Sequence, residues 1–320
     1  MRYKKFGNTD MNVSVLTVGT WAIGGARWGD VDLQNSIEAI RAMLDNGVNF
    51  IDTAPVYGCG YSEEVVGKAI KGYDRSKFYL STKFGLTWPN GPGTEIVRNA
   101  SYENCMREVD VSLGLLGTDY IDLYIVHWPD IHTKAPAEET MRALNDLKKA
   151  GKIRYVGVSN YSAEQIEEIG QFGTVDALQP PYSMVNRTAE ELMIWAHDRG
   201  IANMTYGSLG AGILTGMYRE LPDFPEDDTR MTFYDYYKEP KFSKIMELLK
   251  TLDEVAAAHG NVPLAQVTIN WSTQTSFVET ALVGVRNAAE AIENCKATDW
   301  ELSADEVKHI TKAIDDTVGK

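Results

Sequence analysis

The feature that most limits what this chain can fold into is a rhythm. A short, nearly continuous apolar run is followed by a longer amphipathic segment, and the pair recurs eight times. The apolar runs are SVLTVGT (14–20), VNFIDT (48–53), KFYLSTK (77–83) and YIDLYIVHW (120–128). They continue with IRYVGVSN (153–160), VDALQPP (175–181), IANMTYG (201–207) and VETALVGV (278–285). Runs this short and this apolar read as strands buried on both faces. The segments between them carry helical spacing. In 32–47, for example, Ile37, Ile40, Met43 and Leu44 share a face, and Gly47 follows as a stop signal. Eight alternating units predict an α/β fold, a (β/α)8 TIM barrel with an outer ring of helices, in one domain over 1–320. An open doubly wound sheet would place G-x-G-x-x-G after its first strand. The segment GTWAIGGARWG (19–29) lacks that spacing.

Cap signals predict several helix starts: Ser62 with Glu63 and Glu64, Ser162 with Glu164, and Thr188 with Glu190 and Glu191. Three regions fall outside the eight units. Residues 1–14 predict an N-terminal β-hairpin across the barrel bottom, with Gly7-Asn8 near its turn. Residues 208–240 read as loop. Residues 241–259 and 303–317 read as two extra helices, and Pro263 opens the helix 263–274 that follows strand seven.

The net charge of −14 argues against nonspecific binding to nucleic acid or an anionic membrane. It also requires that an anionic ligand find local cations or helix N-termini. No apolar run approaches the roughly 18 residues of a membrane span. The polar start MRYKKFGNTD and three scattered cysteines, Cys59, Cys105 and Cys295, point to a cytoplasmic location. Neither CxxC nor HExxH occurs, so no metal site is expected.

Active sites of such barrels lie at the C-terminal ends of the strands. The residues there are Thr20 and Trp21, Asp52, Lys83, His127, Ser159 and Asn160, Gln179, Tyr206, and Gly284 with Arg286. Tyr57 lies in the loop after strand two. Singly, each fits a bland role: a turn cap, a surface lysine, a core histidine. Together, Asp, Lys, His and Tyr on one rim form a chemical set. A Tyr hydroxyl has a pKa near 10, and a nearby ammonium favours its phenolate. Asp52 can hold Lys83, and His127 can orient a carbonyl oxygen. Such a site polarises a carbonyl and protonates the alkoxide that develops. The hydride must come from elsewhere, and a nicotinamide supplies one.

With these residues in view, the sequence resembles the aldo-keto reductase family along nearly its whole length. The motifs are LTVGTW, FIDTAPVYGCGYSEEVVGKAI, STK, DYIDLYIVHWPD, LKKAGKIRYVGVSNYS, LQPPYSMVNR, TYGSLGAGILTG and VGVRNAAEAIEN. The resemblance lies closest to a bacterial branch of inositol-operon, sugar and aldehyde reductases, which implies carbohydrate-like chemistry. It implies Tyr57 as general acid/base, Lys83 and Asp52 as its tuning partners, and His127 as the carbonyl-orienting group. It implies Thr20, Trp21 and Asp52 beside the nicotinamide, with Ser159, Asn160 and Gln179 at its carboxamide and Tyr206 stacked on its ring. Gly207, Ser208, Leu209, Gly210 and Gly212 would wrap the pyrophosphate. Gly284, Arg286, Glu290 and Asn294 would meet the adenosine end. Trp21, Tyr57, His127 and Trp128 would touch substrate.

Two positions depart from the family pattern. Val283-Gly284 stands where Pro-Gly is common, and Glu290 where Gln or Arg is common. Arg286 suits a 2′-phosphate and favours NADP(H). Glu290 suits ribose hydroxyls and keeps NAD(H) open. Trp88, the aromatic cluster at 233–237, Asp130 and His132 are further candidates for the substrate pocket. The alternatives to a carbonyl or sugar reductase are a cofactor-holding redox-sensing protein with little turnover and a metal-dependent sugar isomerase. The isomerase would need more carboxylates and histidines at the rim than Asp52 and His127. The expected partner is a small carbonyl or sugar molecule, with no nucleic acid and no membrane; the oligomeric state is not legible.

Overall fold

Eight parallel strands close into a ring in chain order. They are β1 (Leu16–Gly19), β2 (Phe50–Asp52), β3 (Tyr79–Phe84), β4 (Ile121–Val126), β5 (Ile153–Ser159), β6 (Ala177–Gln179), β7 (Ala202–Thr205) and β8 (Thr280–Gly284). The computed structural model describes residues 1–25, 31–91 and 94–319. Part of the GTWAIGGARWG segment, from residue 26 on, therefore lies outside the described residues. The ring closes where Leu16 of β1 pairs with Ala281 of β8. Every residue of β4 is buried, as its unbroken apolar run predicts.

The helices are α1 (Leu33–Asp45), α2 (Tyr61–Ile70), α3 (Tyr102–Leu116), α4 (Ala137–Lys149), α5 (Ala163–Gly170), α6 (Glu190–His197), α7 (Lys241–Ala258), α8 (Leu264–Gln274), α9 (Ala288–Cys295) and α10 (Ala304–Thr317). The two extra helices are α7 and α10. Two expected caps are not caps. Helix α2 starts from Gly60, and the Ser62 hydroxyl instead donates to Thr20 Oγ1 at 2.8 Å. Helix α6 starts from Ala189, and the Thr188 hydroxyl turns to Asn186 Oδ1 at 2.7 Å. Ser162 does cap α5, but Gln165, not Glu164, closes the reciprocal box.

The strand pair Tyr3–Lys5 and Asn12–Ser14 forms the expected hairpin. Its turn sends Phe6 and Met11, both fully buried, against Phe50, Leu123 and Met204 at the barrel bottom. The region read as loop contains a 3-10 stretch, Gly210–Thr215, and one helical turn, Thr229–Thr232. After β3 the chain adds a small antiparallel pair, Leu86–Thr87 with Val97–Arg98. Among the described residues, no helix is long and apolar enough to cross a membrane.

Candidate active site at the barrel mouth

Asp52 ends β2, and Lys83 sits one residue before the end of β3. Both side chains are buried, 1% and 0% exposed, and Lys83 Nζ donates to Asp52 Oδ2 at 2.7 Å. A buried ion pair survives only when hydrogen bonds offset the lost hydration. Lys83 Nζ meets that need with the Thr53 carbonyl at 2.9 Å and the Tyr57 hydroxyl at 3.2 Å. Tyr57 reaches this point because the loop after β2 folds back over the mouth. Its tightness depends on glycine: a Cβ on Gly58 would lie 2.3 Å from the Gly24 carbonyl oxygen, and one on Gly24 2.6 Å from the Tyr57 carbonyl carbon. His127, just past β4, meets the Tyr57 ring edge-on with centroids 5.9 Å apart.

Burial dominates the electrostatics. It pushes the Tyr57 phenol well above its usual range, with the Asp52 charge adding to the rise. The sequence reading expected the ammonium to pull that phenol down; desolvation outweighs it. Burial also draws the Lys83 ammonium down, while Asp52 opposes the fall. Burial, then Lys83, hold the His127 imidazole well below its usual value. At neutral pH the site therefore offers a protonated phenol and a neutral imidazole with one N–H to donate.

A cleft of about 790 Å3 opens above this group and runs to the N-terminus of α9. On one wall, Asn160 Nδ2 donates to the His127 carbonyl and to Ser159 Oγ, both at 3.0 Å. The Tyr206 hydroxyl donates to Asn160 Oδ1 at 3.0 Å, which orients its ring at the cleft. Gln179 Nε2 donates to Asp52 Oδ1 at 3.0 Å. Thr20 and Trp21 form the opposite wall, with Trp21 stacked 6.2 Å from Tyr57.

The loop after β7 suits a phosphate. Gly207 and Gly212 adopt φ of 74° and 92°, a region where a side chain is strained, and both face the cleft with Leu209. Ser208 Oγ on the same wall is buried without a hydrogen-bond partner, an orphan that a bound phosphate oxygen would satisfy. Gly210 does not belong to this wall. A Cβ there would meet Val185 at 3.0 Å, and its φ of 57° also favours glycine. At the far end lie Gly284, Arg286, Glu290 and Asn294. Arg286 and Glu290 are bound to each other, Nη2 to Oε1 at 2.7 Å. The residues thus fit a nicotinamide dinucleotide along the whole cleft.

Sequence reasoning missed Arg230. It lines the cleft, gripped by both Asp228 oxygens and donating to the Tyr218 hydroxyl at 3.1 Å. The ring of Tyr218 in turn lies against Gly212. The available signal was a lone DTR triplet in an aperiodic loop.

At the substrate end, Trp21, Trp88, Trp128, Phe233 and Tyr234 line the cleft. Tyr236 and Tyr237 do not; both are buried behind it, Tyr236 stacked on Tyr234 and Tyr237 donating to the Ala211 carbonyl at 3.0 Å. Asp130 and His132 are absent from the lining as well. Asp130 accepts backbone N–H groups of Ala100, Thr133 and Ala135, and His132 Nδ1 accepts from Arg98. They lace the loops after β3 and β4 together. Among the described residues, no three His, Cys, Asp or Glu cluster as metal ligands.

The profile of the Aldo/keto reductase family matches residues 15–315. The chain belongs to the aldo/keto reductase family. Aldo-keto reductase YhdN of Bacillus subtilis is 38% identical over 320 residues, covering 99% of this chain and 95% of that protein. The NADH-specific methylglyoxal reductase of Escherichia coli is 34% identical, covering 95% of each. Among solved structures, the glycerol dehydrogenase AKR11B4 from Gluconobacter oxydans superposes with a TM-score of 0.89 at 33% identity, covering 99% of this chain and 96% of that one. Like its relatives, this aldo/keto reductase is an NAD(P)-dependent oxidoreductase acting on carbonyl and alcohol groups.

Proposed function

We propose that this aldo/keto reductase interconverts the carbonyl and alcohol forms of small, neutral, sugar-like aldehydes and ketones, with Tyr57 as general acid/base. The observation that carries the reading is the Tyr57 hydroxyl, 3.2 Å from a buried ammonium that Asp52 holds at 2.7 Å. A bound nicotinamide supplies or accepts the hydride. Ser159, Asn160 and Gln179 would hold its carboxamide, Tyr206 would hold its ring, and Ser208 with Arg230 would hold its pyrophosphate. The substrate carbonyl lies between Tyr57 and His127, whose N–H orients the oxygen. In reduction, Tyr57 gives its proton to that oxygen as the C–H bond forms, and the alcohol results. Lys83 offsets the phenolate left behind until solvent returns the proton. In oxidation the same proton moves back to Tyr57.

Arg286 suits the 2′-phosphate of NADPH, but Glu290 already occupies its guanidinium. We therefore propose a small NADPH preference with NADH also used. Aromatic faces at the substrate end suit the C–H faces of sugar-like molecules.

A panel of aldehydes, keto-sugars and polyols, assayed with both cofactors, tests the reading. Tyr57→Phe is expected to lower turnover about 100-fold or more while dinucleotide binding stays within about twofold. Near-normal turnover in that variant would remove Tyr57 from its role. A wild-type protein that binds dinucleotide but turns over no carbonyl would favour the redox-sensing alternative.

A further inference from the structure

Asp52 is held by more than its ion pair. Its Oδ2 accepts Lys83, and its Oδ1 accepts two further donors, Ser81 Oγ at 2.8 Å and Gln179 Nε2 at 3.0 Å. All four side chains are almost fully buried. Ser81 lies on β3 with Lys83, so the two approach Asp52 from one strand. Gln179 comes from β6, across the barrel and 127 residues away in sequence.

The chemistry of Asp52 also fixes which way the Gln179 amide points. A carboxylate facing an ammonium only accepts hydrogen bonds, so the amide must turn its NH2 inward. The amide oxygen is then left for the cleft, where Gln179 forms part of the wall. That oxygen can take only an N–H or O–H donor. One side chain thus touches the anchor of the catalytic pair on one side and the cofactor cleft on the other.

We propose that Ser81 and Gln179 are positioning residues: they hold Asp52 as the fixed anion that sets the Lys83 ammonium against Tyr57. Through Gln179, this clamp couples occupation of the cofactor cleft to the proton on Tyr57. The inference rests on the assignment of Tyr57 as the acid. Hydrogen bonds to a carboxylate favour its charged form. Without them Asp52 draws more of the Lys83 proton, and the ammonium supports the phenolate less. Tyr57 then keeps its proton to higher pH. Coupling between sites is reciprocal, so a cleft ligand that polarises Gln179 shifts Tyr57, and the charge state around Tyr57 shifts ligand affinity. The other groups facing this cluster are His127 past β4, Tyr206 past β7, Tyr234 on the long loop, and Glu63 of α2, which acts on Lys83. None is altered by changes at residues 81 or 179.

The test uses Ser81→Ala and Gln179→Met, each checked for folding by thermal melting. Two measurements are made. The first is NADH binding without substrate, read from quenching of the tryptophan fluorescence. The second is Tyr57 titration, read from the ultraviolet difference against the matching Tyr57→Phe variant and from the acid limb of alcohol oxidation. Both substitutions are expected to move the Tyr57 titration and that limb up by about half a pH unit or more. Ser81→Ala should leave NADH affinity within about twofold, whereas Gln179→Met should weaken it about tenfold. Folded variants with the wild-type titration would overturn the clamp. If Ser81→Ala does not fold, Gln179→Met decides alone. A wild-type enzyme whose turnover survives Tyr57→Phe would instead overturn the underlying assignment.

Discussion

Tyr57 illustrates how a single residue depends on its surroundings. The hydroxyl lies against an ammonium, yet burial leaves the phenol reluctant to ionise. That suits the role of acid proposed for Tyr57, which calls for a proton released only when an alkoxide forms beside it. Glu108 on α3 shows the same force in a measurable window. Burial raises its carboxyl from 4.5 to about 7, even though it accepts the Gly85 N–H at 2.8 Å. The folded state thus holds this proton more tightly than the unfolded chain does. The associated stability is complete below pH 4.5 and is lost as pH rises through about 7. Glu108→Gln keeps an acceptor for Gly85 and cannot ionise. Its unfolding free energy should therefore pull ahead of that of wild type as pH rises from 4.5 to 8, by about 3 kcal/mol at the upper end in denaturant melts. A constant gap across that range would show that Glu108 does not titrate this way. Asp52, Lys83 and His127 were legible because each lies at the end of an apolar run, where a barrel keeps its chemistry. The Gln179–Asp52 bond was not, because only closure of the ring brings 52 and 179 together. Arg230 was hidden for another reason: nothing periodic marks its loop.

At the scale of elements, strands and helices followed their periodicity, and caps were the weak point. Ser62 and Thr188 had better partners than a helix N-terminus, and a sequence does not show that competition. Ser303 is different, since its hydroxyl accepts the Glu306 N–H at 3.3 Å while the Glu306 carboxylate accepts the Ser303 N–H at 2.7 Å. Ser303→Ala should cost about 1 kcal/mol in denaturant unfolding, with α10 the first part to exchange amide hydrogens. Helix α9 begins with Asn287 capping Glu290, and in the same turn Glu290 holds Arg286. Glu290→Gln should release the guanidinium and raise the NADPH-to-NADH affinity ratio about tenfold in direct binding. An unchanged ratio would mean that the pair does not face the ribose.

The whole molecule is a ring with a stopper. Phe6 and Met11 fill the bottom of the barrel, and the first strand pair carries them there. Phe6→Ala should cost about 3–5 kcal/mol by thermal or denaturant melting, while NADH affinity at the opposite end stays near wild type. Lys4 adds a tie at the same end, donating to the carbonyls of Thr273, Thr275 and Val278. Those acceptors, and the β8 strand beside β1, lie near the other end of the sequence. In synthesis from the N-terminus, the stopper and β1 must therefore wait. Until Thr280–Gly284 has been made, β1 keeps one unpaired edge, and Lys4 gains the last of its three carbonyls only with Val278. Released chains truncated before residue 280 should bind chaperones, whereas the full chain, with β8 and the helices after it, should not.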